Sequence, residues 1–126
     1  MKVSEAIDIC NRLKRNQHTT EDKVRWLADL DEQIIEEIIK GHEGEEAYLE
    51  WTRYSTSQED MNRELIVPDV YAEIYEYKLE MEIDRANGEL NKYANDQIMY
   101  NSYLSEYRNW YNRNHIHHTT KIKGAW

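Results

Sequence analysis

Apolar residues recur every three or four positions along most of this 126-residue chain, the spacing of an amphipathic helix. The clearest example spans residues 24–39, where Thr19 or Thr20 can cap the helix start and Gly41 can end it. Most of its acidic residues, including Asp31, fall on the opposite side of the helix. This pattern predicts a helix with one face packed on the core.

Three other segments have the same periodicity. A short helix is predicted over residues 4–14, and another begins at Pro68, whose ring presets the backbone angle of a first helical turn. A fourth helix follows a break at Asn87 and Gly88, two residues that tolerate left-handed backbone angles. We therefore predict an all-α fold, a small bundle of about four helices.

The helical pattern weakens between residues 42 and 66, where a Ser/Thr cluster and isolated aromatic residues replace it. A loop of this length is unusual in a compact domain and is usually functional or disordered. Because Tyr48, Trp51 and Tyr54 lie in it, we expect an ordered loop that packs on another subunit. The composition of residues 48–54 also admits a short strand.

Charge divides the chain into an acidic body and a basic end. Residues 1–106 contain all 25 acidic residues and 12 of the 16 Lys and Arg residues, a formal net charge of −13. The four remaining basic residues give the last twenty positions a charge of +4. We predict a helical body over residues 1–114, with its loop at 42–66, and an extended C-terminal docking arm over residues 115–126. An acidic body argues against binding of a nucleic acid backbone.

Aromatic residues are more numerous than one helix stripe requires. There are ten Tyr and four Trp but no Phe, and the rings of the last helix extend around more than one face. A helix that is apolar over more than one stripe is buried on more than one side, most simply against a neighbouring subunit. The alternative is that these rings fill a core that lacks Phe. The candidate subunit-interface residues are Tyr48, Trp51, Tyr54, Tyr100, Tyr103 and Trp110.

Three histidines, His115, His117 and His118, begin the arm. In an extended chain the first two project to one side, so they could share a metal ion if His18 or His42 supplied another ligand. No metalloprotease motif, cysteine ligand or nearby acid supports such a site. The sequence therefore predicts neither a metal nor a cofactor, and favours an arm that docks on a partner with Trp126 as an apolar anchor.

Enzymatic activity has no support in the remaining motifs. The chain has no glycine-rich phosphate loop and no Gly-x-Ser-x-Gly nucleophile motif. Cys10 is the single cysteine and is expected to be a buried thiol. No apolar run is long enough to span a membrane, and the N-terminus lacks a secretory signal. We expect a non-enzymatic protein that stays inside the cell that makes it.

Three stretches, KVRWLADLDEQIIEEII, RELIVPDVYAEIYEYKLEMEIDRANGE and NSYLSEYRNWYNRNH, cover most of residues 23–115. They resemble the small helical head-to-tail connector proteins of tailed bacteriophages and prophages, also called adaptor or head-completion proteins. The resemblance implies a virion structural protein of the phage neck, assembled in the host cytoplasm. It further implies a homo-oligomer, a twelve-subunit ring beneath the portal protein that extends the DNA channel towards a tail-side neck or tail terminator protein.

Under this resemblance the arm docks on the portal, and DNA passes through the channel without specific binding. The arm residues assigned to portal binding are His115, His117, His118, Lys121, Ile122, Lys123 and Trp126. Two alternatives stay open. One is a small intracellular helical binding protein that clamps a single protein partner with the arm, and the other is a metal-dependent enzyme that uses the histidine cluster.

Overall fold

The computed structural model describes residues 1–118. Five α-helices follow one another: α1 (Val3–Leu13), α2 (Thr20–Ile34), α3 (Gln58–Met61), α4 (Glu73–Ala86) and α5 (Leu90–Asn114). Two short 3₁₀ turns occupy Glu45–Tyr48 and Asp69–Tyr71. No β-strand occurs within residues 1–118, where the only β-type pairing is two isolated bridges. The predicted all-α bundle is confirmed.

The helix α2 begins where its cap residue predicts. The Thr19 hydroxyl accepts a hydrogen bond from the Asp22 backbone N–H at 3.1 Å, which satisfies one of the free amides of the first turn. At its other end the helix widens into one π turn, Ile35–Ile39. There the Lys40 N–H donates to the Ile35 carbonyl at 2.9 Å. Gly41 follows with a φ of +86°, so it reverses the chain in a conformation that favours glycine.

Helix α4 is the centre of the bundle, because it contacts α1, α2 and α5 and its longest interface is with α5. Leucine and isoleucine side chains from α2 and α4 are completely buried between these helices; they include Leu27, Leu30, Ile74, Leu79 and Ile83. Burial of such side chains is the main contribution to the stability of a small domain. The apolar residues of α2 and α4 thus lie in the core, as the helical periodicity of these two helices predicts.

The predicted break between the third and fourth long helices is confirmed. Asn87 ends α4, and Gly88 has a φ of +74°, which turns the chain into α5. Nothing lies within 4 Å of the position where a Cβ of Gly88 would be, so backbone angle rather than space requires glycine here. The short turn makes α4 and α5 antiparallel neighbours.

The loop between α2 and α4 packs on its own chain. It contains no strand at residues 48–54, and its returning part pairs with the N-terminus. The Val3 N–H donates to the Arg63 carbonyl at 3.0 Å, and the Leu65 N–H donates to the Met1 carbonyl at 2.8 Å. These bonds, together with Tyr54 in the core, hold the loop on its own chain, and packing of its exposed side on another subunit stays a prediction.

Candidate functional site

A buried carboxylate on α2 holds the loop. Asp31 is 0% exposed, and its Oδ2 accepts the Tyr54 hydroxyl at 2.5 Å and the Ile66 backbone N–H at 3.2 Å. Its Oδ1 accepts the Tyr75 hydroxyl at 2.6 Å, and the Tyr75 oxygen in turn accepts the Val67 N–H at 2.8 Å. The sequence pattern assigned Asp31 to the polar face of α2, and the structure corrects this. We call this group the Asp31 centre.

The burial and hydrogen bonding of Asp31 indicate a structural role for its carboxylate. Burial raises the pKa of Asp31 to about 6, while the hydrogen bonds from Tyr54, Tyr75 and Ile66 act in the opposite direction. Burial and the neighbouring carboxylate also raise the pKa of the Tyr75 hydroxyl well above its usual value. Both carboxylate oxygens already have donors and the side chain has no exposed surface. A substrate therefore has no path to this carboxylate, and its role is to hold the loop on α2.

The six candidate interface aromatics occupy two kinds of position. Tyr54 and Tyr100 are 6% and 7% exposed, so the structure places them in the core and leaves them almost no surface for a partner. Four others are half-buried, namely Tyr48, Trp51, Tyr103 and Trp110. Across residues 1–118 every tyrosine and tryptophan is buried or half-buried. The buried rings fill the Phe-free core and the half-buried ones pack against it with part of their surface exposed, so both explanations of the aromatic surplus stay predictions.

Ring packing explains why these side chains are satisfied within one chain. Tyr107 and Trp110 stack along α5 with centroids 5.9 Å apart, and Tyr77 of α4 stacks on Tyr103 at 5.7 Å. In the loop, Trp51 meets Tyr54 edge to face at 5.4 Å. Such pairs add about 0.5–1.5 kcal/mol each beyond the burial of their surface. Ring packing within one chain therefore accounts for the buried faces of these side chains.

The start of the arm lies against the turn that follows α2. The His118 N–H donates to the Gly41 carbonyl at 2.8 Å, and the Glu43 N–H donates to the Ile116 carbonyl at 3.0 Å. The His115 ring stacks on Tyr111 with centroids 3.7 Å apart. We call residues 41–44 and 115–118 together the histidine junction. The other predicted arm residues, Lys121, Ile122, Lys123 and Trp126, lie outside the described residues.

Two histidines meet at this junction. The rings of His42 and His117 lie edge to face at 4.7 Å, and His42 also contacts Tyr111 at 5.5 Å. The fold therefore does bring His42 to the arm, whereas His18 lies elsewhere beside Trp26 and Asn87. Within residues 1–118, however, no group of three or more His, Cys, Asp or Glu residues is arranged to hold a metal ion. The described contacts are those of a packing junction.

A pair of acidic residues, Asp84 and Asp96, lies between α4 and α5. Asp84 is 1% exposed and forms an ion pair with the Lys14 ammonium at 2.8 Å. Burial and the proximity of Asp84 raise the pKa of Asp96 to about 7, so the two carboxyls are not both ionised at lower pH. The sequence gives no signal for this pair, because its members are twelve positions apart on different helices.

Two features remain on the surface. A groove lies between the π turn Ile35–Ile39 and residues 45–53; it consists of adjoining cavities of about 370 and 260 Å³ that share Ile35, Glu36, Tyr48 and Leu49. The first half of α5 has an outward apolar face, where Leu90 and Ile98 are 68% and 66% exposed. Both residues recur at the helical spacing of the apolar positions in this helix, which by itself suggests a buried face, yet the structure leaves both exposed.

No protein-family model, curated protein or solved structure matches this chain. In the part of the chain that the structure describes, no helix has both the length and the apolar character needed to cross a bilayer.

Proposed function

We propose that this chain is a structural subunit of the neck of a tailed bacteriophage, a head-tail connector that assembles as a ring beneath the portal. The resemblance of residues 23–115 to such connectors supports this class, and the small all-α body is compatible with it. The observation that carries the proposal is the exposed apolar face of α5. In the ring, the next copy of the chain would pack on this face.

The α5 face has the composition of an interface core. Leu90, Ala94 and Ile98 are spaced by four residues and are all exposed, and Met99 beside them is 41% exposed. Residues 97–105 contain no charged side chain, although a third of the whole chain is charged. Interface cores are depleted in charge and enriched in apolar side chains, and a neutral face suits packing between identical, strongly acidic copies. A ring requires that this face meet a different surface of the neighbour.

The remaining features have roles in the same proposal. The acidic body would let the DNA duplex pass through the channel without binding, because like charges repel. The arm, residues 115–126, would dock on the portal, and the opposite end of the ring would meet a tail-side neck or tail terminator protein. Ring formation would bury the α5 face.

Assembly of the purified full chain tests the proposal. We expect closed rings in negative-stain images, either alone or after addition of the purified portal protein encoded in the same structural gene module. Ile98→Lys should prevent ring formation, because it places a charge in the apolar contact. Leu13→Lys is the matched control, since Leu13 is 62% exposed and also lies on a helix. Absence of rings in both conditions, or an equal effect of the two variants, would overturn the proposal.

A second candidate is a monomeric helical protein that clamps one protein partner with its arm. The observation in its favour is that every tyrosine and tryptophan of residues 1–118 is already buried or half-buried within one chain. Sedimentation of the full chain separates the two proposals when combined with deletion of residues 115–126. The ring proposal expects a body that still assembles but no longer attaches to the portal, whereas the clamp expects a monomer throughout.

A further inference from the structure

The groove beside the π turn is apolar around Ile35, Tyr48 and Leu49 and polar towards Glu32 and Arg53. Its walls are Ile35 on one side and Tyr48 and Leu49 on the other, and Leu49 is 77% exposed although it is a large apolar side chain. The π turn widens the helix at this point, and π turns of this kind frequently occur at functional sites. A groove at such a turn, with a large apolar side chain exposed on one wall, is a candidate docking surface.

The charge of the rim indicates what kind of occupant fits. Glu32, Glu36 and Glu45 line the groove, together with Lys40 and Arg53. Lys40 pairs with Glu36 at 3.3 Å, and Arg53 contacts Glu32 and Asp29, so these cations and the rim acids Glu36 and Glu32 offset one another. The acidic excess of the rim comes from Glu45 and from the outer wall. The chain that forms the outer wall, residues 41–50, carries four acids and neither Lys nor Arg. The groove is therefore suited to a segment that is both basic and apolar.

The described chain ends at the mouth of this groove. The His118 N–H is bonded to the Gly41 carbonyl at 2.8 Å, and its Nδ1 lies 3.6 Å from the Glu45 carboxylate. Glu45 also accepts the Gly41 N–H at 2.8 Å, so its position is held, and it is one of the residues that line the groove. The described part of the chain therefore ends beside the groove.

Residues 119–126, TTKIKGAW, have the matching chemistry. Lys121 and Lys123 are basic, no acid is present, and Ile122 and Trp126 are large and apolar. In an extended conformation side chains alternate, so Ile122 and Trp126 would lie on one side and the two lysines on the other. Eight residues reach about 26 Å when extended, which is enough to cover both cavities.

We propose that residues 119–126 of the same chain dock in this groove, with Ile122 against Leu49 and the lysines at the acidic rim. Docking within one chain is favoured over docking on a second copy because the described part of the chain ends beside the groove, which gives the segment a high effective concentration. The inference is independent of the proposed function, since neither the ring nor the portal enters it. The occupied groove would hold the C-terminal segment on its own body until a partner displaces it.

A disulfide test in the full chain examines this directly. The variant Leu49→Cys with Ile122→Cys is compared with the control Val70→Cys with Ile122→Cys, because Val70 is 79% exposed but lies far from the groove lining in the chain. Both carry Cys10→Ala, which removes the buried native thiol. After mild oxidation by a copper–phenanthroline reagent, non-reducing electrophoresis and intact mass measure the product.

We expect the Leu49 pair to form a disulfide within one chain about tenfold faster than the Val70 pair, as the difference in effective concentration predicts. Adding Lys121→Glu and Lys123→Glu should remove most of that difference, because these changes put like charges at the rim. Equal rates at the two positions would overturn the proposal. So would a Leu49 disulfide that joins two chains, which would assign the groove to a second copy.

Methyl NMR spectra provide a readout that does not depend on cysteine chemistry. Deletion of residues 119–126 should shift the resonances of Ile35 and Leu49 and leave those of Leu13 and Val70 unchanged. Unchanged Ile35 and Leu49 resonances would contradict docking in the groove.

Discussion

The Asp31 centre and the histidine junction both attach irregular chain to the helical body, but by different means. At the Asp31 centre a fully buried carboxylate accepts three hydrogen bonds. At the histidine junction the contacts are backbone hydrogen bonds, ring stacking, a 3.2 Å bond from the Tyr111 hydroxyl to the Glu43 carbonyl and the His118–Glu45 contact, and His117 is exposed. Buried hydrogen bonds to a charged group are the stronger kind. The loop is therefore a fixed part of the fold, whereas the start of the arm is held more weakly and is suited to release.

Removal of the Asp31 carboxylate should have the largest effect on stability. Asp31→Ala leaves the Tyr54 and Tyr75 hydroxyls and the Ile66 N–H without their acceptor, which should lower the free energy of unfolding by about 3–5 kcal/mol. Urea denaturation at a pH below the pKa of Asp31 measures this loss of stability. Asp29→Ala is the control on the same helix, since Asp29 is 47% exposed and its ion pair is worth less than about 1 kcal/mol. Similar losses of stability in the two variants would contradict the role of Asp31 as the buried acceptor that holds the loop.

The Asp31 centre should also make stability depend on pH. Because burial raises the pKa of Asp31 from 3.8 to about 6, the folded state binds a proton more tightly than the unfolded state. The contribution of this proton to folding stability is fully present below pH 4 and is lost as pH rises through 6. The free energy of unfolding should change by about 3 kcal/mol over this range.

Asp31→Asn resembles the protonated carboxyl and cannot ionise. Its stability relative to the native chain should therefore rise between pH 4 and pH 6 and stay constant above that range, as measured by denaturation at a series of pH values. A difference that is independent of pH would show that Asp31 ionises normally.

Loss of one hydroxyl should have a smaller effect. Tyr54→Phe keeps the ring in the core and removes only the hydrogen bond to Asp31, which should lower the free energy of unfolding by about 1.5–3 kcal/mol. Tyr103→Phe is the matched control, because the Tyr103 hydroxyl donates to the exposed Glu73 carboxylate at the same 2.5 Å. Tyr103→Phe should lower the free energy of unfolding by less than Tyr54→Phe does. A larger loss in Tyr103→Phe would contradict the idea that burial strengthens the Tyr54 hydrogen bond.

The smallest expected effect is at the histidine junction. His115→Ala removes the stack on Tyr111, worth about 0.5–1.5 kcal/mol, without opening the core. Amide exchange should become faster at residues 41–44 and 116–118, while the midpoint of global unfolding changes little. His18→Ala, outside the junction, should leave these amides unaffected. If the junction unfolded only together with the body, the proposed difference between the two attachments would not exist.

Local signals accounted for the long helices, but they missed α3, which lies in the predicted loop, and α4 begins at Glu73 instead of Pro68. The Thr19 cap and the break at Asn87 and Gly88 were predicted correctly because they depend on groups within a few residues of one another. Predictions about surface and core were less successful. Asp31 was assigned to a polar face and the spacing of Ile98 suggested a buried one, since periodicity shows that faces differ but does not show how many neighbouring elements cover them.

The candidate sites show the same division. The sequence identified the arm histidines and the loop aromatics, but it contained no signal for the contact of His42 with His117, 75 positions away in the chain. The groove was also missed, because it depends on a π turn and on the 3₁₀ turn that faces it.

By itself, the sequence determined that the chain folds as helices with an acidic body and a basic end, because helix formation depends on local spacing and net charge depends on composition alone. Only the tertiary structure decided which side chains are buried. Tyr54, Tyr75 and Ile66 reach Asp31 from 23 to 44 residues away, and a carboxylate lies in the core only when such distant donors converge on it.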